Sequence, residues 1–78
     1  MSLRSVTAET QGTVLTIDVS RGERIEVAQI LLRLEIMKME IPVEAPAAGC
    51  VTSIHVKAGE YVAQGDLLVT IDTQVVAR

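Results

Sequence analysis

A chain of 78 residues with 49% hydrophobic side chains and a net charge of -3 has room for one compact domain, whose core buries about 60% of the surface exposed by the unfolded chain. Tyr61 is the only aromatic residue, so the core must be built from Val, Ile, Leu, Met and Ala, and a large aromatic ligand pocket is disfavoured. The 7 Lys and Arg are scattered singly among 10 Asp and Glu, which leaves no cationic stripe for nucleic acid or an anionic membrane surface.

Taken in chain order, the elements read as strands. The body is expected over residues 6–73, with 1–5 and 74–78 as flexible termini. Ile17 and Val19 alternate with polar Thr16 and Asp18 at period two, and Ile54 and Val56 do the same with Ser53 and His55. Val14 and Val51 are out of phase with that alternation, which predicts a bulge or a strongly twisted strand in both places. Arg21-Gly22 and Ala58-Gly59 supply glycine for turns with positive φ, Gln64-Gly65-Asp66 supplies another, and Pro46-Ala47-Ala48-Gly49 marks a loop. Ile30 to Leu34 and Ile41 to Val43 are apolar strands, and Pro42 belongs on an edge or at a bulge. Cys50 reads as a small, half-buried strand residue, His55 as solvent-facing, and Tyr61 as a partly covered surface residue. As the single cysteine, Cys50 allows neither an intrachain disulfide nor a thiolate metal cluster. Apolar runs such as Ile30-Leu31-Leu32 fall far short of the roughly 20 residues of a membrane helix, and no signal-like segment opens the chain, which points to a cytoplasmic protein.

The chain repeats itself. Ala8 to Glu35 aligns without gaps onto Ala45 to Asp72, with identities at Ala8/Ala45, Gly12/Gly49, Val14/Val51, Ile17/Ile54, Val19/Val56, Gly22/Gly59, Glu23/Glu60 and Leu31/Leu68. Ile25/Val62, Ile30/Leu67, Leu32/Val69 and Leu34/Ile71 are conservative exchanges. Two copies of a strand-rich unit predict an all-β, flattened barrel or sandwich of two four-stranded antiparallel sheets with a pseudo-two-fold axis, a barrel-sandwich hybrid. The junction of the copies, residues 36–44, becomes a hairpin at one end, opposite the termini.

That junction carries Glu35-Ile36-Met37-Lys38-Met39-Glu40. Its turn has no Gly, Asn, Asp or Pro, although a two-residue hairpin turn wants positive φ, which costs energy for ordinary side chains. A sharp bend that forgoes Asn-Gly points to a functional constraint. Methionines on both sides suit a surface that another protein must read, and the lysine offers a primary amine for covalent attachment of a cofactor. Most exposed lysines are simply solvated, but this one stands where a duplicated β domain presents its hairpin tip.

These residues, together with Ala45-Pro46-Ala47-Ala48-Gly49-Cys50-Val51 and Val56-Lys57-Ala58-Gly59-Glu60, resemble the biotinyl domain of biotin carboxyl carrier proteins over roughly Val6 to Asp72. The resemblance implies that Lys38 receives biotin in amide linkage and that Met37 and Met39 serve ligase recognition and positioning of the arm. It implies as partners a biotin protein ligase, a biotin carboxylase and a carboxyltransferase, between which a non-catalytic carrier moves a carboxyl group. No catalytic residue, metal, nucleic acid or membrane enters that reading. Ile36 replaces the alanine usual before Met-Lys-Met, and no thumb insertion lies between Gly12 and Leu34, so the closer likeness is to thumbless domains of pyruvate and propionyl-CoA carboxylases. A lipoyl carrier of a 2-oxoacid dehydrogenase or of glycine cleavage is the alternative on the same fold, with an unmodified interaction module the third. Methionine on both sides of the lysine favours biotin over lipoate.

Overall fold

The structure, a computed structural model, describes residues 2–74. Eight strands follow one another: β1 Leu3–Thr7, β2 Gly12–Ile17, β3 Arg24–Ile25, β4 Ile30–Ile36, β5 Met39–Glu44, β6 Gly49–Ile54, β7 Tyr61–Val62 and β8 Leu67–Asp72. They form two four-stranded antiparallel sheets, sheet I in the order β1-β8-β6-β3 and sheet II in the order β5-β4-β2-β7. Among the described residues there is no helix, hence none long and apolar enough to cross a membrane.

The two sheets are the two copies exchanging strands. Aligning the halves carries β2, β3 and β4 onto β6, β7 and β8, and β1 onto β5, so one strand order maps directly onto the other. The bulges recur in step. Pairing of β2 with β4 shifts between Val14 and Thr16, and pairing of β6 with β8 shifts between Val51 and Ser53, the positions where Val14 and Val51 break the period-two alternation. The shift lets Val14 and Val51 turn inward, where both are buried. Turn bonds recur as well: Gly22 N donates to Val51 O at 2.7 Å, and Gly59 N donates to Val14 O at 2.7 Å. Gly22, Gly59 and Gly65 all have φ of 91°.

Aliphatic residues from both inner faces fill the core, with Leu31, Leu32, Val51, Leu68, Val69 and Ile71 fully buried. Each such side chain contributes about 1.5–3 kcal/mol relative to exposure. Gly12 and Gly49 start equivalent strands against equivalent neighbours. A Cβ on Gly12 would stand 3.0 Å from the Glu35 carbonyl oxygen, and one on Gly49 would collide with the Asp72 carbonyl. The identity at this pair is therefore a matter of space beside the neighbouring strand.

One expectation needs correcting. β1 starts at Leu3, ahead of the expected boundary at residue 6, with Leu3, Arg4 and Ser5 paired to Asp72, Ile71 and Thr70. Their side chains are exposed, so no apolar pattern announces the strand; the backbone ladder along β8 holds it. Gln74 closes a turn by donating its N–H to Asp72 Oδ1 at 3.0 Å. Residues 1 and 75–78 of the expected termini lie outside the described residues.

The folded body measures 40 × 17 × 17 Å. By the pseudo-symmetry, the β4–β5 hairpin and the closure of β1 on β8, where Thr73 N donates to Ser2 O at 2.9 Å, are equivalent features at opposite ends.

Candidate functional site

Ile36 pairs with Met39, which leaves Met37 and Lys38 as the two central residues of the hairpin. Both adopt positive φ, 52° for Met37 and 64° for Lys38, as the mirror-image turn that joins twisted strands requires. Neither has a glycine's freedom there, and such a conformation costs about 1–2 kcal/mol per residue. The strand pairing on either side holds the turn in place.

The turn thrusts its side chains outward. Met37 is 89% exposed and Met39 65% exposed, an arrangement the hydrophobic effect opposes and the fold does not use. Lys38 is exposed, and no ion pair or side-chain hydrogen bond among the described residues engages its amine. Ile36 is half-buried at the end of β4.

Just behind the tip, Glu35 and Glu40 stand directly opposite each other on β4 and β5, a like-charge pairing that disfavours the hairpin. Arg33 compensates in part, with Nη1 3.8 Å from Glu40 Oε1 and Nε 3.3 Å from Asp18 Oδ2. Its Nε is covered and not aligned for a hydrogen bond, so Asp18 supplies charge alone. At this exposure the bridges contribute about 0–1 kcal/mol.

The remaining candidates lie elsewhere. Pro42 sits in β5, on the edge of sheet II, where its missing N–H costs no ladder bond. Cys50 is half-buried in β6, its Sγ 3.4 Å from the Gly22 carbonyl. His55 is exposed, with Nε2 2.8 Å from Thr70 Oγ1. Tyr61 is 61% exposed and donates its hydroxyl to Gln11 Oε1 at 2.9 Å, a pairing across 50 positions that no local pattern reveals. A groove of about 490 Å³ runs between edge strands β1 and β5, over Val6, Leu34 and Val43. No lysine, cysteine or histidine lines it. Among the described residues no group of His, Cys, Asp and Glu is placed to hold a metal ion. The arrangement does one chemical thing well: it offers an unengaged primary amine at a protruding point.

Comparison with known proteins agrees with the fold. The family model described as "Biotin-requiring enzyme" matches residues 4–71. The chain is 44% identical over 66 residues to a "Biotinylated protein TB7.3 homolog" of Mycobacterium leprae, covering 85% of this chain and 93% of that one. It is 45% identical over 60 residues to a biotin carboxyl carrier protein of Streptococcus mutans, covering 77% of this chain but only 46% of the relative. Among solved structures, a single-chain, multi-domain long-chain acyl-CoA carboxylase superposes with a TM-score of 0.87 at 27% identity, over 99% of this chain and 7% of that one. Similar domains thus occur both as nearly whole proteins and as small parts of large carboxylases. Matched over most of its length in sequence and in fold, the chain belongs to the biotin/lipoyl family of attachment domains.

Proposed function

We propose that Lys38 receives biotin in amide linkage and that the chain is a biotin carboxyl carrier, serving the biotin carboxylase and carboxyltransferase of a biotin-dependent carboxylase in the cytoplasm. The observation that carries this reading is the unengaged Lys38 amine, held by two strained backbone positions between two exposed methionines.

The residues fit the group. Biotin ends in a carboxyl that needs an accessible amine, and the bond formed joins Lys38 Nζ to that carboxyl carbon. The leaving group is the activating group that a biotin protein ligase places on the carboxylate, and Nζ gives up its proton. Met37 and Met39 supply flexible, polarizable surface to the ligase and to the base of the arm. Bound biotin supplies a ureido nitrogen that takes up and releases a carboxyl group. This chain's residues break no bond in the substrate. They hold one end of the arm on a rigid aliphatic body, so that the tether turns each encounter with an active site into an intramolecular one at high effective concentration. Amide formation also removes the lysine's charge, and the tip that remains is bordered by Glu35 and Glu40.

Intact-mass measurement with avidin blotting, on protein made in a host with active biotin and lipoate ligases, tests the reading. An added mass equal to biotin less one water, as amide linkage requires, and absent from Lys38→Arg, is expected. An added lipoyl mass, or a biotin adduct that survives Lys38→Arg, would overturn it.

A further inference from the structure

The duplication provides an internal control: wherever the lysine end differs from the opposite end, the fold itself does not demand the residue. The equivalents of Met37 and Lys38 are Gln74 and Val75, and the equivalents of Tyr61 and Gln11 are Arg24 and Ala48. A hydrogen-bonded tyrosine and glutamine therefore occur only in the half that carries the hairpin.

Their position is specific. Tyr61 pairs with Thr13, Thr13 with Glu35, and Glu35 with Glu40, which sets these residues in one row on the outer face of sheet II, immediately behind the tip. With adjacent strands about 4.8 Å apart, β7 lies about 10 Å from β4. The lysine side chain and the valeryl chain of biotin, in series, span that distance and bring the ring system back over the sheet. Tyr61 is 61% exposed, and its hydroxyl is committed to Gln11 Oε1 at 2.9 Å. That bond fixes the ring and leaves the Gln11 amide hydrogens without a partner among the described residues. The pair thus offers an apolar face, two N–H donors and a phenolic oxygen able to accept. A ureido ring presents the complement, a carbonyl acceptor flanked by N–H donors on an apolar bicycle.

We infer that Tyr61 and Gln11 form a resting place for the ureido ring of the biotin arm, so that the arm folds back along sheet II between visits to active sites. This rests on the assignment of biotin to Lys38. Both residues are positioning residues: they hold the arm and take no part in carboxyl transfer.

Because Tyr61 is the only tyrosine and the chain has no tryptophan, its fluorescence reports this one place. Acrylamide quenching is measured on unmodified and fully biotinylated protein, with the biotin content of each sample read by intact mass. Covering one face of the ring should lower the quenching slope about twofold on biotinylation. In Gln11→Ala, compared with its own unmodified form, that protection should disappear. Equal quenching of biotinylated and unmodified wild type would overturn the resting place and leave the attachment intact, as would protection that persists in Gln11→Ala. Failure of the mass measurement to find biotin would overturn the attachment reading, and the resting place with it.

Discussion

Ala28 and Gly65 occupy the same position in the two copies and adopt the same left-handed backbone, φ 69° and 91°. Each is the third residue of a four-residue turn. Gln29 N donates to Glu26 O at 3.2 Å in one copy, and Asp66 N donates to Ala63 O at 3.0 Å in the other. A turn with positive φ at its third residue favours glycine, and only the second copy has it. Strain at Ala28 of about 1–2 kcal/mol, less the roughly 0.4–1 kcal/mol that glycine's unfolded-state entropy costs, gives a net gain. Ala28→Gly should stabilise the fold by about 0.5–1 kcal/mol, and Gly65→Ala should destabilise it by a similar amount. Urea denaturation midpoints check both, and a destabilised Ala28→Gly would contradict the account.

At the hairpin tip the residues that favour stability differ from those that carry function. Replacing Met37 and Lys38 with Asn and Gly supplies the residues that the turn geometry prefers, and should stabilise the fold by about 1–3 kcal/mol. The double variant should show a higher melting temperature and no biotin adduct. No rise in melting temperature would mean that the tip stores no strain.

Ile36 fills the place before the Met-Lys-Met run with a half-buried, β-branched side chain. If its bulk hinders the ligase, Ile36→Ala should be biotinylated faster than wild type in a time course with purified ligase. Unchanged kinetics would remove Ile36 from the list of determinants.

Gly12 and Gly49 should respond unequally to the same change. A Cβ at Gly49 meets backbone of Asp72 and stands 2.9 Å from Ile71 Cγ2, whereas at Gly12 the nearest atom is the Glu35 carbonyl oxygen at 3.0 Å. Gly49→Ala is expected to cost about 3 kcal/mol and Gly12→Ala about 1 kcal/mol. Denaturant unfolding of the two variants measures the difference, and equal costs would show that β6 and β8 can part as readily as β2 and β4.

The duplication made much of this legible in the sequence. Val14 and Val51 reveal the bulges because the same break in alternation occurs twice, and the glycine-bearing turns at Gly22, Gly59 and Gly65 are visible from residue type alone. The hairpin is legible for the opposite reason: Met37 and Lys38 are poor turn residues at a place that must turn. The turn at Ala28 carries no glycine to mark it, and only its equivalence with Gly65 could have exposed it. β1 before Val6 is held by backbone pairing beneath exposed side chains, which leaves no apolar signature. The Tyr61–Gln11 bond joins residues far apart in sequence, and strand register alone brings them together.

The pairing of β1 with β8 has a kinetic side. Sheet I closes only when Leu67–Asp72 is available to Leu3–Thr7, so the last strand of the domain completes the sheet that its first strand begins. Pairings of such large sequence separation put folding in the slow, millisecond-to-second range. The β4–β5 hairpin, a local structure, can form within roughly 1–10 μs, yet it gains its rigid backing only once β8 has joined sheet I. The lysine thus lies midway along the domain, and its rigid presentation is among the last things the fold acquires.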